Sequence, residues 1–201
     1  SPLFRLNGQW ISLQAYEEAV AAQRARHVVE DFGQADLSRW QRTSGEPGVE
    51  AEYELAGSRD GQALHARMGR LGGWQTLGSP ALASPFPPNY TLTCFRAKGG
   101  PHTRQLALEW DEADGSRWIA TVNLTPEWKH YTLLPDRFKA WPLEAASQSR
   151  RFNPAKAVRF WVGLALSHTA LQGDRHEYWF DDLGTAPNPF GDLLPPMDSN
   201  L

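Results

Sequence analysis

The chain has 201 residues, 41% of them apolar and 21% charged, which is enough nonpolar material to bury a core and too much for a disordered polymer. Its 20 basic and 23 acidic residues give a net charge of −3, so no basic field is available to neutralise nucleic-acid phosphates. One cysteine, Cys94, excludes an intramolecular disulfide and a cysteine-built zinc cage, and no apolar run is long enough for a membrane-spanning helix. Neither nucleic acid nor membrane is an expected partner. Nine tryptophans among 23 aromatic residues point to a β-rich chain with rings to spare for stacking.

Residues 1–27 read as an N-terminal arm. Its first residues, Ser1-Pro2-Leu3-Phe4-Arg5, lack a basic segment followed by an apolar one, so any signal peptide is expected to be absent or already removed. From Ser12 to about Arg26, Leu13, Tyr16 and Val20 fall at helical spacing behind Ser12 as N-cap, predicting one short amphipathic helix. Downstream the hydrophobic period changes to two. Strands are expected at Val28–Phe32, Val49–Leu55, Gln62–Met68, Trp74–Leu77, Tyr90–Ala97, Arg104–Asp111, Arg117–Leu124, Trp128–Leu134, Ala157–Ser167 and Glu177–Leu183. Turn signals such as Arg59-Asp60-Gly61 and Asp114-Gly115-Ser116 separate them. Short strands at near-regular spacing, with no helix between them, predict an all-β, antiparallel β-sandwich over residues 28–186. Residues 187–201, with Pro187, Pro189, Pro195 and Pro196, read as a proline-rich linker to a neighbouring domain.

No hydrolytic nucleophile, phosphate-cradling or zinc-protease motif is present, and the six histidines are scattered. Glu109 and Asp111 share one face of a strand at about 6–7 Å, a separation compatible with glycoside chemistry but commoner at solvated strand edges. Binding fits the pattern better. In 158–166 the set Val158, Phe160, Val162, Leu164 and Leu166 must face a core. The alternate set is Arg159, Trp161, Gly163 and Ala165: an aromatic wall beside a guanidinium, followed by small residues. Sugars stack their C–H faces on such rings and hydrogen-bond to Arg or carboxylate. Trp161 reads either as that platform or as a ring packed beneath a loop or the N-terminal helix.

In the central hairpin, Leu106, Leu108 and Trp110 point inward, which turns Glu109 and Asp111 outward. Arg117 and Trp118 open the partner strand, with Trp118 either core or platform. Trp74, after two glycines, is a candidate rim residue, whereas Trp128 at a strand start reads as a core plug. A second constellation is acidic. Glu30 in the first strand and Asp181-Asp182 in the last would gather at one end of a sandwich, with Asp60 nearby. Oxygen-only ligands of this kind suit a structural calcium ion; the alternative is loop capping by backbone amides.

The order Val-Val-Glu-Asp-Phe (28–32), Leu-Ala-Leu-Glu-Trp-Asp (106–111) with Asp-Gly-Ser-Arg-Trp after it, Glu-Trp-Lys-His-Tyr-Thr-Leu-Leu-Pro-Asp-Arg-Phe (127–138), Val-Arg-Phe-Trp-Val-Gly (158–163) and Tyr-Trp-Phe-Asp-Asp-Leu (178–183) resembles the galactose-binding-domain-like β-sandwich. It is similar in particular to carbohydrate-binding modules of family eleven and to the complex I intermediate-associated protein type. The resemblance implies a jelly roll over about residues 28–186, calcium ligands at Glu30, Asp181 and Asp182, and a glycan running over the concave sheet beside Arg159 and Trp161. With five tyrosines, the chain departs from that family's tyrosine-rich platform. The linker resembles those placed ahead of a barrel glycosidase.

Together these readings lead to a non-catalytic polysaccharide-binding module of a secreted or cell-surface bacterial carbohydrate-active enzyme, linked covalently to the catalytic domain of a glycoside hydrolase. Its expected ligand-contacting residues are Trp161, Arg159, Trp74, Trp118, Glu109, Asp111 and Arg117. The alternatives are a structural or protein-interaction sandwich packed against a neighbouring domain, and a small jelly-roll lyase or hydrolase.

Overall fold

The computed structural model describes residues 3–6, 8–142, 150–171 and 173–191. In the arm, β1 (Leu3–Leu6) and β2 (Gln9–Ser12) form a separate hairpin, followed by α1 (Leu13–Ala21). The Ser12 hydroxyl accepts from the Ala15 amide and caps the helix, as expected. The helix is shorter than its periodicity suggests: it stops at Ala21, and Arg26 donates its amide to Thr185, which docks the chain onto the sandwich.

The remaining strands are β3 (His27–Glu30), β4 (Gln41–Ser44), β5 (Glu52–Ser58), β6 (Gly61–Met68), β7 (Trp74–Gly78), β8 (Tyr90–Gly99), β9 (Gln105–Glu112), β10 (Arg117–Asn123), β11 (Lys129–Leu133), β12 (Lys139–Trp141), β13 (Ala157–Ala165) and β14 (His176–Pro187). All pair antiparallel. One sheet runs β12-β10-β9-β13-β7-β4; the other runs β11-β8-β14-β6-β5, with β3 also on β14. The ten expected strands are all present, and β1, β2, β4 and β12 are additional.

Between the sheets lies an aromatic seam. Trp110 meets Phe160 edge-on (4.9 Å between ring centroids), Phe160 stacks on Phe180 (5.6 Å), and Phe180 leans on Phe95 (5.2 Å). Burying rings of this size supplies most of the driving force for closing a two-sheet core. A satellite cluster of Tyr16, Val20, Leu92, Cys94 and Ala186 seals α1 to the back of the second sheet.

Two assignments along β13 and β14 need correction. Leu166 is 58% exposed, not core; β13 ends at Ala165, whose carbonyl accepts from the His168 and Thr169 amides as the chain turns. Pro187 is the last residue of β14, paired with Tyr90 at a register shift where no ladder donor is needed. Asn188 then donates to the Tyr16 hydroxyl, and Phe190 stacks on Tyr16 at 5.1 Å. The expected linker therefore begins as a packed segment; its residues 192–201 lie outside the described residues.

Candidate binding groove

The outward face of the β12-β10-β9-β13-β7-β4 sheet carries a groove of about 660 Å³ lined by residues from all six strands and by Leu166–His168. Its floor follows from strand alternation. Trp110 and Phe160 point into the core, so Glu109, Asp111, Arg159 and Trp161 must point out.

Trp161 lies flat on the sheet. Its cross-strand neighbour is Gly78, and a Cβ there would sit 2.5 Å from the six-membered ring. Only glycine leaves room for the indole. On the other side Trp161 Nε1 donates to Asp111 Oδ2 at 2.7 Å, which fixes the ring plane and leaves its upper face to the groove. Arg159 flanks the ring, its guanidinium carbon 6.0 Å from the centroid, and donates to the Gln41 side chain.

Arg117 grips Glu109 with two parallel hydrogen bonds, Nε to Oε1 at 2.6 Å and Nη2 to Oε2 at 3.0 Å. Glu109 is 8% exposed. Burial pushes its carboxyl up to about 7 against the pull of Arg117, and the neighbouring Asp111 side chain adds to the rise. Asp111 Oδ1 is buried and has no hydrogen-bond partner among the described residues.

Two tryptophans wall the groove. Trp74 is 49% exposed, its ring resting against Gly45. Trp141 stands edge-on to His168 at 4.7 Å. The loop bearing His168 is tied down by the Thr121 hydroxyl donating to the His168 carbonyl and the Ala170 amide donating to Gln105. Trp141, His168, Thr43 and Thr76 escaped the sequence reading. The alternation of Lys139-Ala140-Trp141 was the available signal, too short to stand out.

Trp118 is corrected from candidate platform to core. It is 2% exposed and faces Phe152, with its Nε1 donating to Ser116. Because Arg117 turns outward to meet Glu109, its chain neighbour must turn inward. Trp128 is corrected the other way: it is half-buried on the outer face of the second sheet, beneath Arg96 (5.2 Å) and Lys98 (5.6 Å).

The four carboxylates of the acidic constellation, read in the sequence as ligands of a structural calcium ion, are engaged by ion pairs and hydrogen bonds. Glu30, Asp60, Asp181 and Asp182 do lie toward one end of the sandwich, but Arg96 sits among them. Arg96 donates to Asp181 at 3.0 Å and to Asp182 at 2.7 Å, and lies 4.0 Å from Asp60. Asp181 also accepts from Ser58 and from the Asp182 amide, while Glu30 accepts from the Phe32 amide. A guanidinium thus supplies positive charge among these carboxylates. Among the described residues, no three His, Cys, Asp or Glu side chains are arranged to hold a metal.

No family model and no curated protein matches the sequence. Solved structures do match. A family 11 carbohydrate-binding module from Clostridium thermocellum, in complex with a β-1,3-1,4-mixed-linked tetrasaccharide, superposes with a TM-score of 0.63 at 13% identity, over 83% of this chain and 98% of that one. The family 11 module of the cellulosomal cellulase Lic26A-Cel5E of the same organism gives 0.61 at 14% identity, over 87% and 99%. An agarase gives 0.57 at 10% identity, over 81% of this chain and 26% of that chain. The described chain is accordingly a β-sandwich with the fold of the family 11 carbohydrate-binding modules.

Proposed function

We propose that this chain is a non-catalytic polysaccharide-binding module, holding a glycan in the groove walled by Trp74, Trp141 and Trp161. The observation carrying this reading is the Trp161 indole, seated on Gly78 and pinned by Asp111, with its free face turned into an open groove. A pyranose ring stacks on a fixed indole without the entropy cost of ordering it. Glu109 and Asp111 act as buttresses. Each carboxylate is engaged by a groove residue, Arg117 or Trp161. The finer reading is a module of a secreted or cell-surface bacterial carbohydrate-active enzyme, tethered to its glycoside hydrolase domain. It is supported by the fold shared with part of an agarase.

Affinity electrophoresis of the full chain against a glycan panel tests this. Retardation by at least one polysaccharide, lost in the Trp74→Ala/Trp161→Ala double variant, is the expected result. Absence of retardation by any glycan overturns it. A second reading, packing against a neighbouring protein domain, is favoured by the β1–β2 hairpin, where Trp10 is 68% exposed. Trp10→Ala leaves glycan retardation unchanged if the groove is the binding site.

A further inference from the structure

Although the chain as a whole is acidic at −3, the groove face is not. The outward side chains of its six strands include three cations, Lys139, Arg117 and Arg159, against two anions, Glu109 and Asp111. The pairing makes this imbalance local. Arg117 and Arg159 are the cross-strand neighbours of Asp111 on its two sides, so the guanidinium-bearing positions stand about 10 Å apart across the sheet. Asp111 lies within ion-pair distance of neither guanidinium among the described residues, its Oδ2 accepting instead from the Trp161 indole. Arg159 has a neutral amide as its hydrogen-bond partner and no carboxylate within ion-pair distance among the described residues. Arg117 spends Nε and Nη2 on Glu109, and its Nη1 has no partner among the described residues.

We propose that the groove selects an acidic polysaccharide, one bearing uronate carboxylates or sulfate esters, with Arg159 as the principal charge-reading residue and Arg117 Nη1 as the second donor. This rests on the glycan-binding reading above. Arginine suits the task because its planar fork matches a carboxylate or sulfate with two parallel donors, and a guanidinium beside an indole is held at the edge of the stacking surface. A neutral glycan offers hydroxyl acceptors at that edge but no countercharge. An acidic one supplies it, and the chain's overall negative charge works against indiscriminate binding of polyanions elsewhere.

The test is affinity electrophoresis and calorimetry of the full chain with de-esterified homogalacturonan as the uronate probe and ι-carrageenan as the sulfate probe. Agarose and barley β-glucan are the neutral comparisons. An acidic glycan is expected to bind more tightly than either neutral one, and the interaction to weaken as salt rises from roughly 0.02 to 0.5 M. Arg159→Ala should weaken that binding about tenfold, with an unchanged melting temperature since the side chain is at the surface. Binding by homogalacturonan alone identifies the carboxylate, and by carrageenan alone the sulfate. If a neutral glycan binds as tightly and Arg159→Ala is silent, the acidic-ligand inference falls while the module reading stands. If no glycan of either kind binds, both fall.

Discussion

Asp111 and Trp161 stand on adjacent strands, not opposite each other but two residues out of register, since Trp161 pairs with Glu109 and Arg159 pairs with Asp111. The diagonal bond between them, 2.7 Å from Nε1 to Oδ2, orients the indole from one side while Gly78 supports it from the other. Removing the acceptor should leave the fold intact and loosen the ring. We expect Asp111→Ala to weaken glycan binding roughly fivefold, with Asp111→Asn retaining most of it, both read by calorimetry alongside tryptophan emission.

Gly78→Ala is the complementary variant. It touches no ligand, yet its methyl would meet the ring at 2.5 Å, forcing the indole off the sheet. Binding should fall by an amount comparable to Trp161→Ala, while the melting temperature drops by only a few degrees. An unchanged affinity would mean that the ring's seat is irrelevant to recognition.

Glu109 predicts a pH dependence. Its carboxyl rises from 4.5 to about 7 on folding, chiefly through burial. The folded chain therefore holds this proton more tightly than the unfolded one, and its contribution to stability is fully present below about 4.5 and lost as pH climbs through about 7. The groups facing it are Arg117 on β10, Asp111 on its own strand, Arg159 and Trp161 on β13, and His168 on the wall. His168 is held below its ordinary value by burial and by Arg117. Melting temperatures at pH 5 and pH 8 should differ less in Glu109→Gln than in the wild-type chain. Protonating Glu109 also releases Arg117 from its partner, so acidic-glycan affinity should be higher at pH 6 than at pH 8.

At the acidic end of the sandwich, Arg96 makes the testable difference. Asp181 is 2% exposed, and Arg96→Ala would leave its carboxylate buried without a countercharge, a loss of about 3 kcal/mol. Chelation of the wild-type chain should leave the melting temperature unchanged. A calcium ion bound to the native state at a hundredfold excess over Kd would instead raise stability by about 2.7 kcal/mol.

Trp118 separates core from site. Truncation to alanine in a full core should cost about 3–5 kcal/mol, whereas Trp118→Phe should keep both the fold and the glycan affinity, measured by denaturant melts and electrophoresis.

The strands were legible because alternation is a property of the local chain. Once Trp110 and Phe160 face inward, Glu109, Asp111, Arg159 and Trp161 have no other face to occupy. Trp118 was left open because Ile119 makes the set Arg117/Ile119/Thr121 mixed beside the apolar set Trp118/Ala120/Val122. The decision came from Glu109 across the ladder. Arg96 was invisible among the acids for a similar reason. It reaches Asp181 through the β8–β14 pairing, a contact spanning 85 positions that no local pattern encodes. Trp141 sits on a three-residue strand, too brief to show any period.

The ring of Phe190 against Tyr16, with Asn188 bonded to the same phenol, works as a clasp between the segment after the last strand and the first helix. Any recombinant version trimmed at Ala186 would open that clasp and leave the helix held by its packing on Leu92, Cys94 and Ala186. Expression boundaries for the sandwich are therefore best drawn beyond Gly191, with the arm retained.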